Sequence, residues 1–569
     1  TKGDTLEVQG DATTWSLKAQ DGVYLGLQKG YRDAVRLQLT DVAGRLIGHV
    51  EQADGRRIEF VAQRAASAAG EPKPTGETDL PPAIPPFQGY PAGEFGLSGP
   101  PEQAASVLFR NATVWTNSEL GVATETDVLV KQGRIAQVGK ALNAPRDAVV
   151  IDARGMHLTS GIIDAHSHTA VARNINEPSH AVTSEVRIGD VIDPTDINLY
   201  WQLAGGVTTA NLLHGSANPM GGQNAVIKLR WGEDANGLRM QGAPSGIKFA
   251  LGENVKQSGW GSAFVTRYPQ TRMGVEQIMR EHFNMARAYN DALARGEKPR
   301  RDLRIEALAE ILRGERLIHI HSYRQDEILM FVRLSQEYGF KVATFQHILE
   351  GYKVADELAS IGAGASSFAD WWAYKMEVID AIPYNGALLT RAGVVTSFNS
   401  DSNEMARRLN MEAAKAIRYG GLSEQEAWKL VTLNPAIQLG IADRVGSIQP
   451  GMDADLVLWN ASPLSNYARA EQTWIDGRRY FDREQDRALQ ATALAERERL
   501  LNLAADARRK ALALRRSTPE PAKPGKPVSP EVRYWMQTET LWWQHLAAAR
   551  GLYHNGADLM SCGVNDHVH

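Results

Sequence analysis

Two kinds of hydrophobic pattern divide the chain. Residues 1 to about 66 alternate apolar and polar positions between turn signals such as "QDG", "VAG" and "ADG", which predicts a small antiparallel β module. Further along, short continuous apolar runs alternate with amphipathic stretches such as "QDEILMFVRLSQEYG". Continuous runs of this kind are typical of parallel strands that helices cover on both faces. The sequence therefore predicts an α/β region that follows a β module.

The α/β region contains eight strand candidates, which predict a closed (β/α)8 barrel of the TIM type. A barrel of this type places its active site at the C-terminal ends of its strands. In chain order the candidates are "HLTSGIIDAHSH", "GVTTANLLHG", "NAVIKLRW", "GIKFALGE", "RLIHIHSY", "KVATFQHI", "GAGASSF" and "GVVTSFNSD".

Short strands also flank the α/β region on both sides, for example "SVLFRNATVWT" before it and "TWIDGRRYFD" after it, so we expect one β-sandwich assembled from both flanks. Nine prolines between Pro72 and Pro101 predict an extended linker, and a helix-forming composition predicts a helical tail at the C-terminus. The predicted domains are a β module at 1–66, a linker at 67–104, a composite β-sandwich at 105–158 and 440–485, a barrel at 159–439 and a helical tail at 486–569.

Composition and charge exclude several functions. The net charge is −4 and no stripe of Lys and Arg occurs, so we expect no nucleic-acid partner. No apolar run approaches the roughly 18 residues that a membrane span needs. A single cysteine, Cys562, excludes an intrachain disulfide, which fits either the cytoplasm or a periplasmic protein without disulfides. The first residue is Thr rather than Met, which favours an exported, periplasmic protein, with the remainder of a longer precursor as the alternative.

Histidines concentrate where the predicted barrel strands end, and Asp401 ends the eighth strand. In an extended chain, residues i and i+2 share a face, so the pair in "HSH" and the pair in "HIH" each direct two imidazoles the same way. Imidazole nitrogens and a carboxylate oxygen suit zinc and similar divalent ions. The six histidines at or near strand ends are His166, His168, His214, His319, His321 and His347.

The segments "GIIDAHSHTA", "HIHSY", "FQHI" and "FNSD" resemble the amidohydrolase superfamily, in its imidazolonepropionase-like or prolidase-like branch, over about residues 106 to 485. The resemblance implies two divalent metal ions, zinc foremost and manganese, iron or cobalt as alternatives, bridged by a carbamate on Lys248. An unmodified lysine would be a costly cation in this apolar strand unless it paired with an acid such as Glu253. The implied metal ligands are His166, His168, Lys248, His319, His347 and Asp401.

On the fifth strand the family's usual spacing implies His319 as the ligand and places His321 towards the substrate. Because both side chains point the same way, the reverse assignment stays open. Barrels of this family often assemble, so a homo-oligomer stays open, and the sequence does not specify the oligomeric state.

The activity that the resemblance implies is hydrolysis of an amide-type C–N bond, linear as in a dipeptide or cyclic, in a small molecule. A divalent metal acidifies bound water and polarises the scissile carbonyl, and Asp401 would carry a proton from that water to the leaving nitrogen. His321 and His214 are candidates for stabilising the developing oxyanion. Tyr323 and Arg324, together with His321, are candidates for binding the substrate, Arg324 through a carboxylate.

Two other functions remain open. A mononuclear deaminase of an aromatic amine would share the fold, lack the bridging lysine and use an acid after the fifth strand, for which Asp326 is nearest. A non-catalytic scaffold on the same fold is the second, although the ligand set is intact. In the tail, Cys562, His567 and His569 are either an adventitious cluster on a disordered end or a soft-metal site.

Overall fold

The computed structural model describes residues 99–171, 175–256, 267–370 and 375–517, together with six strands between residues 5 and 63. Most of the predicted linker and the predicted metal ligands of the tail (Cys562, His567 and His569) lie outside the described residues. The chain divides into two compact units, the first of which contains the six strands, while the second contains the α/β region and the sheet beside it.

The strands of the first unit form one antiparallel sheet in which each strand pairs with the next along the chain. The pairing of the fourth and fifth strands runs without interruption from Arg36 opposite Glu51 to Val42 opposite Arg45. The six strands are β1 (Thr5–Gln9), β2 (Thr14–Gln20), β3 (Val23–Leu27), β4 (Arg36–Val42), β5 (Arg45–Glu51) and β6 (Arg57–Gln63).

In the second unit, strands from both sides of the α/β region share one eight-stranded sheet. The seam is an antiparallel pair in which Thr159 lies opposite Val457. The strands before the α/β region are β7 (Ser106–Trp115), β8 (Val122–Lys131), β9 (Arg134–Gly139), β10 (Val149–Asp152) and β11 (His157–Ser160). The strands after it are β21 (Leu456–Trp459), β22 (Ala470–Ile475) and β23 (Arg478–Asp482).

All eight strand candidates of the α/β region are strands, the first of them divided between β11 and β12. The α/β strands are β12 (Ile162–Ser167), β13 (Val207–Leu212), β14 (Met220–Gln223), β15 (Ala225–Lys228), β16 (Ser245–Ala250), β17 (Arg316–Ser322), β18 (Val342–His347), β19 (Gly364–Ser367) and β20 (Thr396–Phe398). The helices are α1 (Asn198–Leu203), α2 (Ala235–Leu238), α3 (Arg272–Ala294), α4 (Leu303–Leu312), α5 (Gln325–Tyr338), α6 (Ala355–Ser360), α7 (Asn385–Arg391), α8 (Asn403–Ala406), α9 (Leu409–Gly420), α10 (Glu424–Lys429), α11 (Leu433–Gln438) and α12 (Arg483–Ser517).

The mixed α/β fold agrees with the sequence, but the strand pairs found among the described residues do not close into the predicted eight-stranded ring. They form a three-stranded sheet, β12-β13-β15, and a six-stranded sheet, β14-β16-β17-β18-β19-β20. The chain reverses after β13, so β15 pairs antiparallel with β13 and β14 pairs antiparallel with β16. The turn-rich segment "HGSANPMGGQN" between β13 and β15 explains the reversal, because Gly, Asn and Pro interrupt a parallel crossover.

Helix α5 shows how the flanking helices hold the parallel strands. Ile328 and Phe331 have no exposed surface, and the ring of Phe331 lies 6.1 Å from that of Phe345 on β18. Each apolar side chain buried in this way stabilises the fold by about 1.5–3 kcal/mol. The helix ends at Gly339, whose φ of 76° lets its N–H donate to the carbonyl of Ser335. The contact with Phe345 holds β18 near its end, where His347 lies.

A buried group of charges joins the end of β15 to the loops of the eight-stranded sheet. The ammonium of Lys228 has no exposed surface and lies 2.6–3.1 Å from carboxylate oxygens of Asp453, Asp455 and Asp476. Arg230 pairs with Asp476 at 2.7 Å, and Arg444 pairs with Asp453 at 2.8 Å. We call these six residues the Lys228 cluster; it contains three cations and three anions.

Among the described helices, none has the length and apolar content that crossing a membrane requires.

Candidate metal centre

Strand β12 delivers two histidines to one buried point. It pairs in parallel with β13, and the carbonyl of His166 near its end accepts a hydrogen bond from the backbone N–H of Asp401 over 3.1 Å. His166 and His168 are both buried, and their rings lie 5.2 Å apart. His166 lies on β12 and His168 directly follows it, so the two residues are i and i+2 along an extended segment. The sequence predicted that such a pair would direct both imidazoles to one point, and the geometry agrees.

Asp401 faces both histidines. Its Oδ1 lies 3.4 Å from Nε2 of His166 and 3.2 Å from Nε2 of His168, and its Oδ2 lies 3.6 Å from Nε2 of His347. One atom from each of His166, His168 and Asp401 falls within 4.8 Å of the others, the spacing of ligands around a metal ion.

The two ring nitrogens of His168 make different contacts. Nδ1 lies 2.9 Å from the carbonyl oxygen of Leu213, and because a carbonyl only accepts, Nδ1 donates. Nε2 lies 3.2 Å from the carboxylate of Asp401. Two electron-pair donors at this distance repel unless a proton or a metal cation lies between them. The arrangement is typical of a metal ligand that the backbone orients through its other nitrogen.

Lys248 of β16 extends to the same point. Its buried Nζ lies 3.2 Å from Nε2 of His166 and donates to the carbonyl of His214 over 3.3 Å. The structure therefore brings the predicted bridging lysine next to the first predicted ligand.

On the fifth predicted strand, β17, the structure separates the two histidines. The ring of His321 lies 4.8 Å from that of His347, and the ring of His347 lies 4.6 Å from that of His166. His319 lies two residues before His321 on the same strand, and it is the register partner of Lys248 between β16 and β17. We call His166, His168, His321 and His347 the histidine cluster.

The histidine cluster is buried, and burial lowers the pKa of three of its four imidazoles. Burial, together with the neighbouring charge of Lys248, holds the pKa values of His166 and His321 well below the usual range. Burial lowers the pKa of His347 to about 3, and the same cause, with Lys248, lowers that of His319 to about 3. Neither ring nitrogen of His321 or His347 makes a hydrogen bond to a described residue. Such unpaired buried nitrogens are costly in a finished core and are what a metal site offers.

Two of the residues that face one another across the site have left-handed backbones. His347 has a φ of 69° and Asp401 a φ of 45°, a region that residues other than glycine seldom occupy. Such conformations persist only where the surrounding structure holds them, and they concentrate at functional sites. They turn both side chains inward where their strands end.

An aromatic and apolar wall covers one side of the histidine cluster. The ring of Tyr323 lies 4.5 Å from that of His321, and the ring of Phe368 stacks on His347 at 4.6 Å with an interplanar angle of 14°. The buried residues of this wall are Tyr323, Leu349, Phe368, Val378 and Ala381. Tyr323, predicted as a substrate contact, therefore lies beside the histidine cluster.

Three residues singled out from the sequence are engaged elsewhere. In His214, Nδ1 donates to the carbonyl of Gly215 and Nε2 accepts from the N–H of Glu177, so both nitrogens that could polarise a substrate are bonded to backbone. The guanidinium of Arg324 pairs with the carboxylate of Asp326 at 3.0 Å. Asp326 is the acid that a deaminase would need. Its side chain is 48% exposed at the surface, whereas the histidines of the cluster are buried.

Three further residues at the site were not predicted. The amide oxygen of Gln346 lies 3.3 Å from Nδ1 of His166, and so orients that ring. Asp164 accepts hydrogen bonds from the hydroxyl and the N–H of Ser400, and burial raises its pKa to about 7. The position of Gln346 next to His347 is the one signal in the sequence that could have indicated the first of these contacts.

Comparison with known proteins supports the superfamily resemblance. A sequence model of the amidohydrolase family matches residues 383–480. Amidohydrolase tasK of Hapsidospora irregularis is 33% identical over 426 residues, which are 66% of this chain and 43% of that protein. An imidazolonepropionase of Symbiobacterium thermophilum is 26% identical over 386 residues, which are 58% of this chain and 82% of that protein. The chain thus spans less than half the length of tasK.

The crystal structure of an amidohydrolase from Thermotoga maritima is 33% identical in sequence and superposes with a TM-score of 0.62. The match covers 66% of this chain and 100% of that one, so the likeness extends over the whole of the solved chain. This chain belongs to the amidohydrolase family.

Proposed function

We propose that this chain is a metal-dependent hydrolase that cleaves an amide-type C–N bond in a small molecule. The observation that carries the proposal is the convergence of His166, His168 and Asp401, in which an imidazole and a carboxylate face each other over 3.2 Å in a buried site. Membership of the amidohydrolase family supports the reaction class.

The ligand set that we propose is His166, His168, Lys248, His321, His347 and Asp401. It takes His321 rather than His319 from β17, because the His321 ring contacts His347 and both of its nitrogens lack hydrogen-bond partners among the described residues. Nitrogen and oxygen donors of this kind suit two zinc ions, with manganese, iron or cobalt as alternatives. The residues present fit such a centre.

Lys248 would serve as the bridging ligand in carbamylated form. The ammonium first loses one proton, and the neutral amine then adds carbon dioxide and releases a second proton. A buried cation thereby becomes a buried anion. Burial favours removal of the cationic charge, and a nearby centre of divalent cations favours the anion. The 3.2 Å separation of Nζ from Nε2 of His166 supports this role.

When bound, the divalent ions acidify a water molecule and polarise the scissile carbonyl. Asp401 accepts the proton from the attacking water and delivers it to the leaving nitrogen, first as general base and then as general acid. Gln346 and the carbonyl of Leu213 hold the rings of His166 and His168 in place. The apolar wall around Phe368 keeps bulk water away from the reacting groups.

The test is hydrolysis by protein stripped of metal and then reloaded with zinc or manganese, with and without bicarbonate. The panel contains dipeptides, N-acyl amino acids and cyclic amides. We expect activity only after reloading, stimulation by bicarbonate, and loss in Lys248→Ala. Lys256→Ala is the control, since Lys256 is another buried lysine, bonded to the carbonyl of Gly252. Activity that survives removal of metal, or that Lys248→Ala leaves intact, would contradict the proposal.

A further inference from the structure

Lys375 places a positive charge beside the histidine cluster, outside the proposed set of metal ligands. Its Nζ lies 4.6 Å from the centre of the Tyr323 ring, and only 11% of its side chain is exposed. The same ring lies 4.5 Å from His321 and 5.8 Å from His347. One aromatic ring therefore lies close to the ammonium and to two proposed metal ligands.

Glu377 anchors this ammonium. One carboxylate oxygen of Glu377 lies 2.6 Å from Nζ of Lys375, and the other accepts a hydrogen bond from the N–H of Glu253 over 2.9 Å. An opposite charge at this distance in a buried site attracts the ammonium strongly, so the ion pair fixes the position of the charge. Glu377 thus explains how the cation is held beside the Tyr323 ring.

The position of this cation favours an anion between it and the metal centre. If the histidine cluster holds divalent cations, as proposed, a partly buried ammonium nearby repels them in a medium of low dielectric constant, and the carboxylate of Glu377 offsets part of that repulsion. A substrate anion placed between the two would be attracted by both. Arg324, which the sequence predicted as the contact for a carboxylate, lies further out, because its side chain is 39% exposed and paired with Asp326.

We infer that the substrate carries a carboxylate that contacts the ammonium of Lys375, next to the scissile amide. The inference rests on the proposed function and specifies its substrate class. Phe368 and Val378 lie in the apolar wall beside Tyr323, so an apolar side chain next to the carboxylate fits the site. An N-acyl amino acid or dipeptide with an apolar residue has both features.

Binding of a matched pair of probes to the zinc-loaded full chain tests this inference by calorimetry. The probes are N-acetyl-L-leucine, which carries the carboxylate, and N-acetyl-L-leucinamide, which does not. We expect the acid to bind more tightly than the amide, and Lys375→Met to reduce that preference by about tenfold or more, as loss of a charge-assisted hydrogen bond does. Binding of the amide should change little.

Two controls separate Lys375 from other cations of the same region. Lys353→Met removes a lysine that pairs with Asp380 and Glu350, and Arg324→Ala removes the guanidinium at the surface. Both should keep the preference for the acid. The inference is overturned if the preference for the acid persists in Lys375→Met, or if it disappears in Arg324→Ala instead. Failure of the acid to bind the wild-type protein also overturns it.

A second variant keeps the inference testable if Lys375→Met misfolds. Glu377→Gln removes the internal partner of the ammonium, so it should tighten binding of the acid and leave binding of the amide unchanged. Weaker binding of the acid alone would contradict the inference. Because these measurements need no turnover, acid-selective binding without hydrolysis would count against the proposed function only, whereas hydrolysis without acid preference would count against the inference only.

Discussion

The Lys228 cluster and the histidine cluster are both buried, polar and built where strands end, yet they complete their interactions differently. In the Lys228 cluster, three cations meet three carboxylates at 2.6–3.1 Å, so each charge has an opposite charge within the protein. In the histidine cluster, His321 and His347 make no hydrogen bond to a described residue through their ring nitrogens, and the ring of His168 faces the carboxylate of Asp401.

The difference indicates which cluster holds the fold together and which is arranged for a ligand. A buried charge network is stable when every charge is paired, and it is strongly destabilised when one partner is removed. Buried polar groups without protein partners cost stability instead, and they persist where a bound group supplies the missing interactions. We therefore assign structure to the Lys228 cluster and chemistry to the histidine cluster.

The largest effect is expected from Asp401→Asn, which keeps the shape of the side chain and removes its basicity. Because Asp401 is proposed to carry the proton, kcat/KM should fall by about 10²–10⁴-fold. Initial rates on a substrate found in the panel measure this, with the melting temperature as a check on folding. Asp326→Asn is the matched control and should retain activity, since its carboxylate is exposed. Near wild-type turnover by Asp401→Asn would remove its assigned role.

Next in size is Lys228→Met, which leaves the buried carboxylates of Asp453 and Asp455 without their shared cation. We expect the free energy of unfolding to fall by about 3–5 kcal/mol. Urea denaturation measures this change. The control is Lys140→Met, which breaks an exposed ion pair with Glu125 and should cost about 0–1 kcal/mol. A loss no larger than that of the control would show that the Lys228 cluster does not stabilise the fold.

Lowering the pH should reduce the stability of the metal-free protein, with a smaller effect for each titrating group than the substitutions above. Burial lowers the pKa of His214 to about 4, and those of His319 and His347 to about 3, from the ordinary 6.5. Below pH 6.5 the unfolded chain therefore binds protons that the folded protein excludes, so stability is fully present above 6.5 and is lost as the pH falls. Each histidine contributes roughly 1.4 kcal/mol per pH unit.

Denaturation in the presence of a chelator, from about pH 7 down to about pH 4.5, measures that slope. His214→Gln should reduce the slope of the free energy of unfolding against pH by the contribution of one histidine. Both ring nitrogens of His214 are hydrogen-bonded in the folded protein and exposed to protons in the unfolded chain. A slope that is flat in the wild-type protein would show that these imidazoles are not buried in the neutral form.

Much of the α/β region follows from the sequence because its strands are continuous apolar runs of the right length. The break between the two sheets does not follow, since a run such as "NAVIKLRW" has the same pattern whether it pairs in parallel or antiparallel. The direction of β15 depends on the turns before it. Local propensity predicts that turns occur there, but it does not specify the path that several turns take together.

For the site, the i, i+2 pairs and the strand ends predict from the amino-acid sequence that His166, His168, His347 and Asp401 converge, and the structure brings these four residues together. The choice between His319 and His321 needs the three-dimensional arrangement, because both point to the same face and only their depth differs. Lys375 is beyond sequence reasoning, since it lies on an irregular segment after β19 and reaches Tyr323 through a contact distant in the chain.

The most direct test of the central claim is the number of zinc ions bound per chain, measured by elemental analysis. The full chain should carry Cys562→Ser, His567→Asn and His569→Asn, so that the tail adds no metal. We predict about two zinc ions per chain, as in two-metal hydrolases, with a sharp fall in Lys248→Ala and in His321→Ala. Lys228→Met should bind as much zinc as its parent. A parent that binds no zinc, or whose zinc survives both substitutions in the site, would contradict the account.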